Sequence, residues 1–247
     1  ILRELKIDKS PGPDAIHPRV LKECGDQLAE PLFFLYKATL NDGTLPQAWK
    51  EGNITPIFKK GSRSEVGNYR PVSLTSICCK VFEKLIRRDI LSHLKCNDLL
   101  TECQHGFVKG RSCMTQLIQV IDKVTEILDD GGSVDSIYLD FAKAFDSVPH
   151  KRLLLKLESY GIEGKVLKWI QGFLEGRRQR VSVAGSFSDW SEVFSGVPQG
   201  SVLGPVLFVI YINDMPRTVT SLLHVYAYDT KLIRRVDHEW QHKELQT

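Results

Sequence analysis

The sequence predicts an α+β fold in which helices cover one face of an antiparallel sheet and leave the other face open. From Ser136 onward, the apolar patterns occur in the order strand, helices, helix, strand, strand. Apolar residues make up 42% of the 247 residues and charged residues 26%, as in an ordinary globular protein. No internal repeat or low-complexity linker divides the chain. Its length therefore predicts one large domain or two closely associated subdomains.

The N-terminal part is predicted to contain turns, helices and one hairpin. Residues 10–18, SPGPDAIHP, are rich in turn formers, and the apolar positions after them recur at helical spacing as far as Leu40. Residues 53–59 and 70–75 are predicted to be two short strands that form a hairpin around a basic, glycine-containing turn. A helix of about five turns is then predicted from four apolar residues on one face, Val81, Leu85, Ile86 and Ile90.

The middle of the chain is predicted to hold a second long helix followed by a strand. The helix runs from near Ser112 to Leu128, where apolar residues recur at helical spacing. Two aspartates and two glycines directly after Leu128 predict its end. Residues 136–141 are an apolar run that predicts a strand carrying Asp140.

The C-terminal part is predicted to combine helices with two strand pairs. Three helices are predicted, at residues 150–159, 163–174 and 203–213. Two strand pairs are predicted, 180–184 with 190–194 and 222–226 with 231–236. Residues 196–200 predict a tight loop. The turn of the second pair is expected to hold Tyr228 and Asp229.

The charge of the chain is unevenly distributed along the sequence. The formal net charge is only +3, but residues 50–111 contain twelve Lys or Arg against six Asp or Glu. A local basic surface of this kind suits a nucleic-acid backbone or a triphosphate, although a solvated surface is the alternative for any single patch. The longest apolar run, residues 202–212, contains a glycine and a proline and is predicted to lie in the core, not in a membrane.

The cysteines and histidines do not predict a metal centre. The six cysteines lack the paired spacing of a zinc site, which favours free thiols in a reducing compartment. His238 and His242 have the spacing of ligands on one helix face, but no neighbouring residues complete a ligand set. A surface helix is therefore predicted there.

Two aspartates suggest the chemistry of the chain. Asp140 lies at a strand end in YLDFAKAFDS, and Asp229 lies in VYAYDTKL far along the sequence. Carboxylates held by two separate β-rich segments are typical of a two-metal phosphoryl-transfer site. For either aspartate alone, a capping role in a loop is the alternative, because Asp is common in turns.

Five motifs in the same order resemble the reverse transcriptase domain of LINE-type, non-LTR retrotransposons, especially the jockey-like group. They are SPGPDAIHPRVLKE at 10–23, NYRPVSL at 68–74, QHGFVKGRS at 104–112, YLDFAKAFDSVPH at 138–150 and GVPQGSVLGPVLFVIYINDMP at 196–216. A sixth, at 225–230, is similar to the family's YADDT. The resemblance extends from about Ile1 to Leu232 and implies an RNA-directed DNA polymerase that uses two Mg²⁺ ions, with Mn²⁺ as a substitute.

The resemblance also implies roles for individual residues. Asp140 is similar to the family's metal-binding aspartate on the first palm strand, and Asp229 is the second candidate catalytic and metal-binding carboxylate. Phe145 resembles the side chain that excludes a 2′ hydroxyl, which distinguishes ribonucleotides from deoxynucleotides. Core packing is the alternative role for Phe145. Asp146 belongs to the family pattern, but no direct metal role is expected for it.

Nucleotide-binding and template-binding residues follow from the same resemblance. Gln199 is similar to the residue that touches the incoming nucleotide and the template, and its flanking glycines would allow close backbone approach. Lys59, Lys60 and Arg70 resemble residues that bind the triphosphate, which guanidinium and ammonium groups suit. Template-backbone contacts are expected from two further cations, Lys109 and Arg111.

One residue departs from the family pattern. The family has two aspartates where this chain has Tyr228 and Asp229. A phenol is neutral at pH 7 and cannot replace a carboxylate between two dications. Asp229 is expected to replace the missing carboxylate only if the geometry of the turn brings it to the same face, because adjacent strand residues point to opposite faces. We therefore expect a catalytically impaired chain.

The resemblance further implies a right-hand polymerase architecture. Residues 1–133 are expected to form a fingers-like region, and residues 134–247 a palm with a helical insertion at about 150–175. The family's thumb and later palm elements are expected to be absent from this chain, which begins at Ile1 and is expected to be a fragment.

The expected partners are an RNA template, a DNA primer and deoxynucleoside triphosphates, with no membrane. The expected location is a nuclear or cytoplasmic ribonucleoprotein, not a secreted protein. Two alternatives to a polymerase stay open, a non-catalytic module that binds RNA or primer-template and an inert remnant.

Overall fold

The computed structural model describes residues 1–237 and has a mixed α+β architecture, as predicted. His238 and His242, and the end of the predicted palm region, lie outside the described residues. The described residues form two compact units, one of residues 1–97 and 145–207 and the other of residues 98–144 and 208–237. In the part of the chain that the structure describes, no helix has the length and apolar character needed to cross a membrane.

The described residues contain eight α-helices. They are α1 (Pro18–Glu23), α2 (Gly25–Asp42), α3 (Gln47–Lys50), α4 (Ile77–Cys96), α5 (Cys113–Asp129), α6 (His150–Ser159), α7 (Gly164–Leu174) and α8 (Gly204–Ile212). Three short 3-10 helices also occur, at Leu2–Glu4, Val66–Asn68 and Met215–Thr218. The helices predicted at α2, α4, α5, α6, α7 and α8 are confirmed.

Eight strands form two sheets. The strands are β1 (Glu51–Phe58), β2 (Tyr69–Thr75), β3 (Ser133–Asp140), β4 (Arg177–Val183), β5 (Ser186–Phe187), β6 (Ser191–Val193), β7 (Leu222–Tyr226) and β8 (Asp229–Val236). Within the described residues, the first unit holds a five-stranded sheet and the second a three-stranded sheet.

The five-stranded sheet combines two hairpins through one parallel contact. Strands β1 and β2 form the predicted antiparallel hairpin. Strand β4 pairs antiparallel with β6 through residues 177–179, not 180–184 as predicted, and residues 182–183 pair with β5. The sequence did not predict that β4 also pairs parallel with β1, from Glu51 opposite Arg178 to Ile54 opposite Val181. The two hairpins therefore belong to one sheet.

Aromatic side chains form much of the core of the first unit. Tyr36 of α2 stacks on Phe82 of α4 with ring centroids 4.6 Å apart, and Phe82 meets Trp169 of α7 edge-on at 5.2 Å. The phenol of Tyr36 donates a hydrogen bond to the carbonyl of Cys78 at 2.9 Å. The buried hydroxyl group of Tyr36 therefore keeps a hydrogen-bond partner.

The three-stranded sheet of the second unit has one covered face and one open face. Its strand order is β3-β8-β7, with both pairs antiparallel. Helix α5 packs against β3 and β7. Val225 and Thr230, a directly opposed pair, are each 2% exposed, whereas the next pair, Tyr226 and Asp229, is exposed. An antiparallel sheet with packed helices was predicted and is confirmed, but the open face is not exposed along its whole length, because Ile233 on that face is 1% exposed.

The predicted division into fingers-like residues 1–133 and palm residues 134–247 stays a prediction. Each compact unit is built from two separate segments of the chain. The predicted division was drawn by expected role rather than by packing.

Candidate active site

Asp140 and Asp229 lie side by side on the open face of the three-stranded sheet. Strands β3 and β8 are antiparallel, and their register makes Asp140 and Asp229 direct partners. Directly opposed residues of an antiparallel pair point to the same face with Cβ atoms about 5 Å apart. Both aspartates are exposed. Two carboxylates therefore face solvent together.

The position of Asp229 corrects one expectation from the sequence. Asp229 was expected in the hairpin turn, but it is the first residue of β8 and pairs with Tyr226 of β7. The turn itself consists of Ala227, with a φ angle of 57°, and Tyr228. Asp229 therefore reaches the face of Asp140 through strand register, and the turn before it places Ala227 in the left-handed region.

Tyr228 occupies the turn between the paired strands and is half-buried. It contributes a phenol where a carboxylate would add a third acidic group beside Asp140 and Asp229. In residues 1–237, no group of three or more His, Cys, Asp or Glu side chains is arranged to hold a metal ion. Two carboxylates suit one Mg²⁺ ion that keeps several water ligands.

The loop that carries Gln199 is held against strand β2 by close backbone contact. The backbone N–H of Ser73 donates to the carbonyl of Gln199 at 2.7 Å. Gly200 has a φ angle of 119°, and a Cβ atom there would lie 2.6 Å from the Ser73 carbonyl oxygen. Gly196 has a φ angle of 89°, and a Cβ atom there would lie 2.7 Å from the Asp146 carbonyl oxygen. Both glycines thus pack closely against the chain's own backbone, and the close approach to a nucleotide expected of them stays a prediction.

A cavity of about 300 Å³ with both polar and apolar lining residues lies beside this loop within the first unit. Its lining includes Ser73, Asp146, Arg178, Gln179, Ser191 and Gln199. Polar groups from the β2, β4 and β6 strands and from the Gln199 loop converge there. Such a cavity can accept a polar group that makes several hydrogen bonds.

Phe145 lies in the first unit and is only 8% exposed. Its carbonyl accepts a hydrogen bond from the backbone N–H of Val197 at 2.8 Å, which connects it to the Gln199 loop. The burial is consistent with the packing alternative. The expected contact of Phe145 with a nucleotide sugar stays a prediction.

The three predicted triphosphate-binding cations lie on the β1–β2 hairpin. Lys59 and Lys60 directly follow β1, and Arg70 is the second residue of β2; all three are exposed. The backbone N–H of Lys59 donates to the carbonyl of Asn68 at 2.8 Å and closes the hairpin. The hairpin therefore presents three cations to solvent on one short element.

The two predicted template-binding residues lie in the second unit and differ in their surroundings. Lys109 is exposed. Arg111 is half-buried, and its Nη1 donates to the carbonyls of Thr101 and Gln104 at 2.8 and 2.7 Å. Arg111 therefore has a structural role in bracing residues 101–104, and its template contact stays a prediction.

Sequence reasoning missed Glu83, a carboxylate that fixes the start of helix α8. Glu83 of α4 is fully buried, and its Oε2 accepts hydrogen bonds from the backbone N–H groups of Val202 and Leu203 at 2.7 and 2.9 Å. Burial raises the pKa of this carboxyl, while those two hydrogen bonds and the nearby Lys80 and Arg177 act in the opposite direction. A single acidic residue on the apolar face of α4 was the available signal.

The candidate site residues therefore fall into two sets. Asp140, Asp229, Lys109 and Arg111 belong to the second unit, where register brings the two aspartates together. The residues Lys59, Lys60, Arg70, Phe145 and Gln199 belong to the first unit, where Phe145 and the Gln199 loop share backbone hydrogen bonds.

Comparisons with known proteins match most of the chain to one family. Residues 57–245 match the family described as reverse transcriptase (RNA-dependent DNA polymerase). The chain is 35% identical over 216 residues to the probable RNA-directed DNA polymerase from transposon X-element of Drosophila melanogaster, covering 87% of this chain and 24% of that protein. It is 32% identical over 244 residues to the RNA-directed DNA polymerase from mobile element jockey of the same species, covering 95% and 26%.

A more distant relative is the retrovirus-related Pol polyprotein from type-1 retrotransposable element R1 of Bradysia coprophila. It is 27% identical over 222 residues, which are 87% of this chain and 21% of that protein. The chain thus spans about a quarter of the length of these relatives.

Proposed function

Because the chain belongs to the reverse transcriptase (RNA-dependent DNA polymerase) family, we propose that it is an RNA-directed DNA polymerase domain of a non-LTR retrotransposon, with an activity that Tyr228 impairs. The observation that carries this proposal is the direct pairing of Asp140 with Asp229 on the open face of a three-stranded sheet. The similarity to the jockey and X-element polymerases supports the retrotransposon class.

The carboxylates of Asp140 and Asp229 fit a divalent metal ion, Mg²⁺ or Mn²⁺ as its substitute. Hard cations prefer carboxylate oxygens, and Mg²⁺ is commonly held by one or two carboxylates together with water and substrate phosphates. When bound, such ions supply positive charge beside the attacking and leaving oxygens of a phosphoryl transfer. Two carboxylates suffice for one ion, so this chain is short of donors for the second ion that the family resemblance implies.

The other proposed residues bind and orient the substrates. Lys59, Lys60 and Arg70 bind the triphosphate, since all three extend into solvent from one hairpin. Gln199 contacts the incoming nucleotide and the template, and Phe145 excludes a 2′ hydroxyl. The cavity beside Gln199, with its polar side chains, supports a role for this loop in binding a polar group.

Template binding is proposed for Lys109 and Arg111. A guanidinium group carries five N–H donors, and the two bonds that Arg111 makes to backbone carbonyls use only one of its nitrogens. The remaining donors suit a phosphate oxygen. The proposed partners are accordingly an RNA template, a DNA primer and deoxynucleoside triphosphates, in a nuclear or cytoplasmic ribonucleoprotein.

The proposed architecture assigns fingers-like residues to 1–133 and a palm to residues from 134 onward. The basic β1–β2 hairpin supports the first assignment, because a triphosphate-binding element is expected in the fingers. The three-stranded sheet that carries both aspartates supports the second.

Tyr228 impairs the activity because it adds no charge to the carboxylate pair. A phenol brings no carboxylate charge and offers one weak oxygen ligand. Its ring is also larger than the side chain of aspartate. Both effects oppose binding of a second ion and of the primer end next to Asp229.

Primer extension on an RNA template with Mg²⁺ and deoxynucleotides tests this proposal. Three proteins are compared: the unaltered chain, Tyr228→Asp, and Tyr228→Asn, which removes the ring without adding a charge. We expect extension by Tyr228→Asp alone, and its loss when Asp140→Asn is added. Equal extension by the unaltered chain would disprove the impairment. No extension by any form would overturn the polymerase assignment for this chain.

A second candidate function is non-catalytic binding of RNA or primer-template. Tyr228 together with the exposed cations Lys59, Lys60 and Arg70 favours it, because binding needs the cations and does not need the third carboxylate. When cationic side chains neutralise phosphates, the affinity of a protein for nucleic acid falls steeply as the salt concentration rises. A steep salt dependence for a chain that extends no primer supports this function, and salt-independent binding contradicts it.

A further inference from the structure

Residues 103–106 run beside the strand that leads into the 227–228 turn. The backbone N–H of His105 donates to the carbonyl of Val225 at 2.8 Å, and the N–H of Val225 donates to the carbonyl of Cys103 at 2.9 Å. Gln104 and Val225 form an isolated parallel bridge. The segment thus acts as a short additional strand on the outer edge of β7.

The side chain of Gln104 connects this segment to the turn itself. Its amide oxygen Oε1 accepts hydrogen bonds from the backbone N–H groups of Gly106, at 2.7 Å, and Ala227, at 3.0 Å. Gln104 is 2% exposed and Ala227 is 5% exposed, so water does not readily replace this acceptor. One buried oxygen therefore satisfies a backbone donor on each side of the contact.

Gly106 brings the two backbones together. A Cβ atom at position 106 would lie 2.3 Å from the backbone nitrogen of Ala227, a distance that real Cβ atoms do not adopt. Glycine therefore allows residues 103–106 to touch the turn directly. The turn is held by backbone contact on one side and by strand pairing with β8 on the other.

We propose that Gln104 is a positioning residue for the carboxylate pair of Asp140 and Asp229. The turn held by Gln104 connects Tyr226 to Asp229, and Asp229 is the residue that faces Asp140. Loss of the acceptor leaves the buried N–H of Ala227 without a partner, so the turn must shift to reach water. This inference rests on the proposed metal-binding role of the two aspartates.

Mn²⁺ binding to the full chain, followed by electron paramagnetic resonance, tests the proposal. Gln104→Met keeps the side-chain length and removes the acceptor, whereas Gln104→Glu keeps an acceptor oxygen. Gln116→Met is the matched control, because Gln116 is also 2% exposed and belongs to α5 of the same unit. Asp140→Asn identifies the part of the signal that comes from the carboxylate pair.

We expect Gln104→Met to weaken Mn²⁺ binding by about tenfold, as loss of outer hydrogen-bond partners does at metal sites. Gln104→Glu and Gln116→Met should stay within about twofold of the unaltered chain. Unchanged binding by Gln104→Met overturns the proposal. Equal weakening by Gln104→Met and Gln116→Met also overturns it, because the effect would then be a general loss of stability.

Hydrogen exchange at the Ala227 amide separates this proposal from the proposed function. If the unaltered chain binds no Mn²⁺ at the carboxylate pair, the metal-binding role fails, and the exchange rate then decides the role of Gln104. Exchange about tenfold faster in Gln104→Met, but not in Gln104→Glu or Gln116→Met, supports positioning of the turn. An unchanged exchange rate in Gln104→Met overturns it.

Discussion

Asp140, the last residue of β3, directly opposes Asp229, the first residue of β8. Two like charges in this relationship repel each other across the strands. The repulsion falls when a cation binds between them. The carboxylate pair therefore lowers the stability of the free protein, and binding of a cation at the proposed metal site would restore it.

Removal of one of these charges should stabilise the metal-free protein. We expect Asp229→Asn to raise the midpoint of thermal unfolding by about 1 °C in the presence of a chelator, because like charges no longer oppose each other. Added Mn²⁺ should raise the midpoint of the unaltered chain and leave that of the variant unchanged. Asp122→Asn, an exposed aspartate of α5, is the control and should keep the full response to Mn²⁺.

Glu83 should give the unfolding free energy a characteristic pH dependence. Burial raises its pKa above the ordinary value of 4.5, so its contribution to stability is fully present below about pH 4.5 and is lost as pH rises through the raised folded-state pKa. Glu83→Gln cannot titrate. In urea denaturation across this range, the unfolding free energy of the unaltered chain should fall relative to that of Glu83→Gln as pH rises.

Glu83→Leu should separate the hydrogen bonds of Glu83 from its charge. The N–H groups of Val202 and Leu203 would lose their buried acceptor, so we expect Glu83→Leu to be about 3 kcal/mol less stable to unfolding than the non-titrating Glu83→Gln at every pH. A loss below about 0.5 kcal/mol would mean that these donors find another partner.

Gly200→Ala should disturb the loop that carries Gln199. The new Cβ atom would meet the carbonyl of Ser73 and would also require a strained φ angle, so we expect a loss of about 2 kcal/mol in unfolding free energy by urea denaturation. Gly67→Ala is the matched control, because a Cβ atom there meets nothing within 4 Å. Equal effects of the two substitutions would contradict the close contact.

The cysteines should differ sharply in their reactivity. Cys24, Cys96 and Cys113 are exposed, whereas burial raises the pKa of Cys78 to about 11 and that of Cys79 well above its usual value. Iodoacetamide at about pH 8 should therefore modify the exposed three first, because the thiolate is the reactive form. Mass spectrometry of the native and urea-unfolded chain checks this. Native modification of Cys79 at the rate of Cys24 would contradict its burial.

Local patterns predicted the helices and strands well, and pairing over long distances was harder to predict. Helix α6 was predicted at its observed bounds, since apolar spacing and the preceding proline are local signals. The parallel pairing of β4 with β1 left no such signal, because it joins residues as far apart as Glu51 and Arg178. The register that puts Asp229 opposite Asp140 was missed for the same reason.

The candidate site shows the same limit. A carboxylate at Asp140 was predicted from its strand end, but the buried acceptors Glu83 and Gln104 were not. Their importance comes from backbone donors over 100 residues away, at Val202 and Ala227 respectively. A polar residue in an apolar stretch is visible in the sequence, and its hydrogen-bond partner is not.

The alternation of chain segments between the two units has a consequence for biosynthesis. Strand β1 must wait for residues near Val181 to leave the ribosome before it gains its parallel partner, and β3 must wait for residues as late as Val236. Long-range pairing of this kind slows folding and leaves strand edges open meanwhile. Neither sheet can be completed on a short nascent chain, so strand edges stay open to aggregation until residues as late as Val236 have been synthesised.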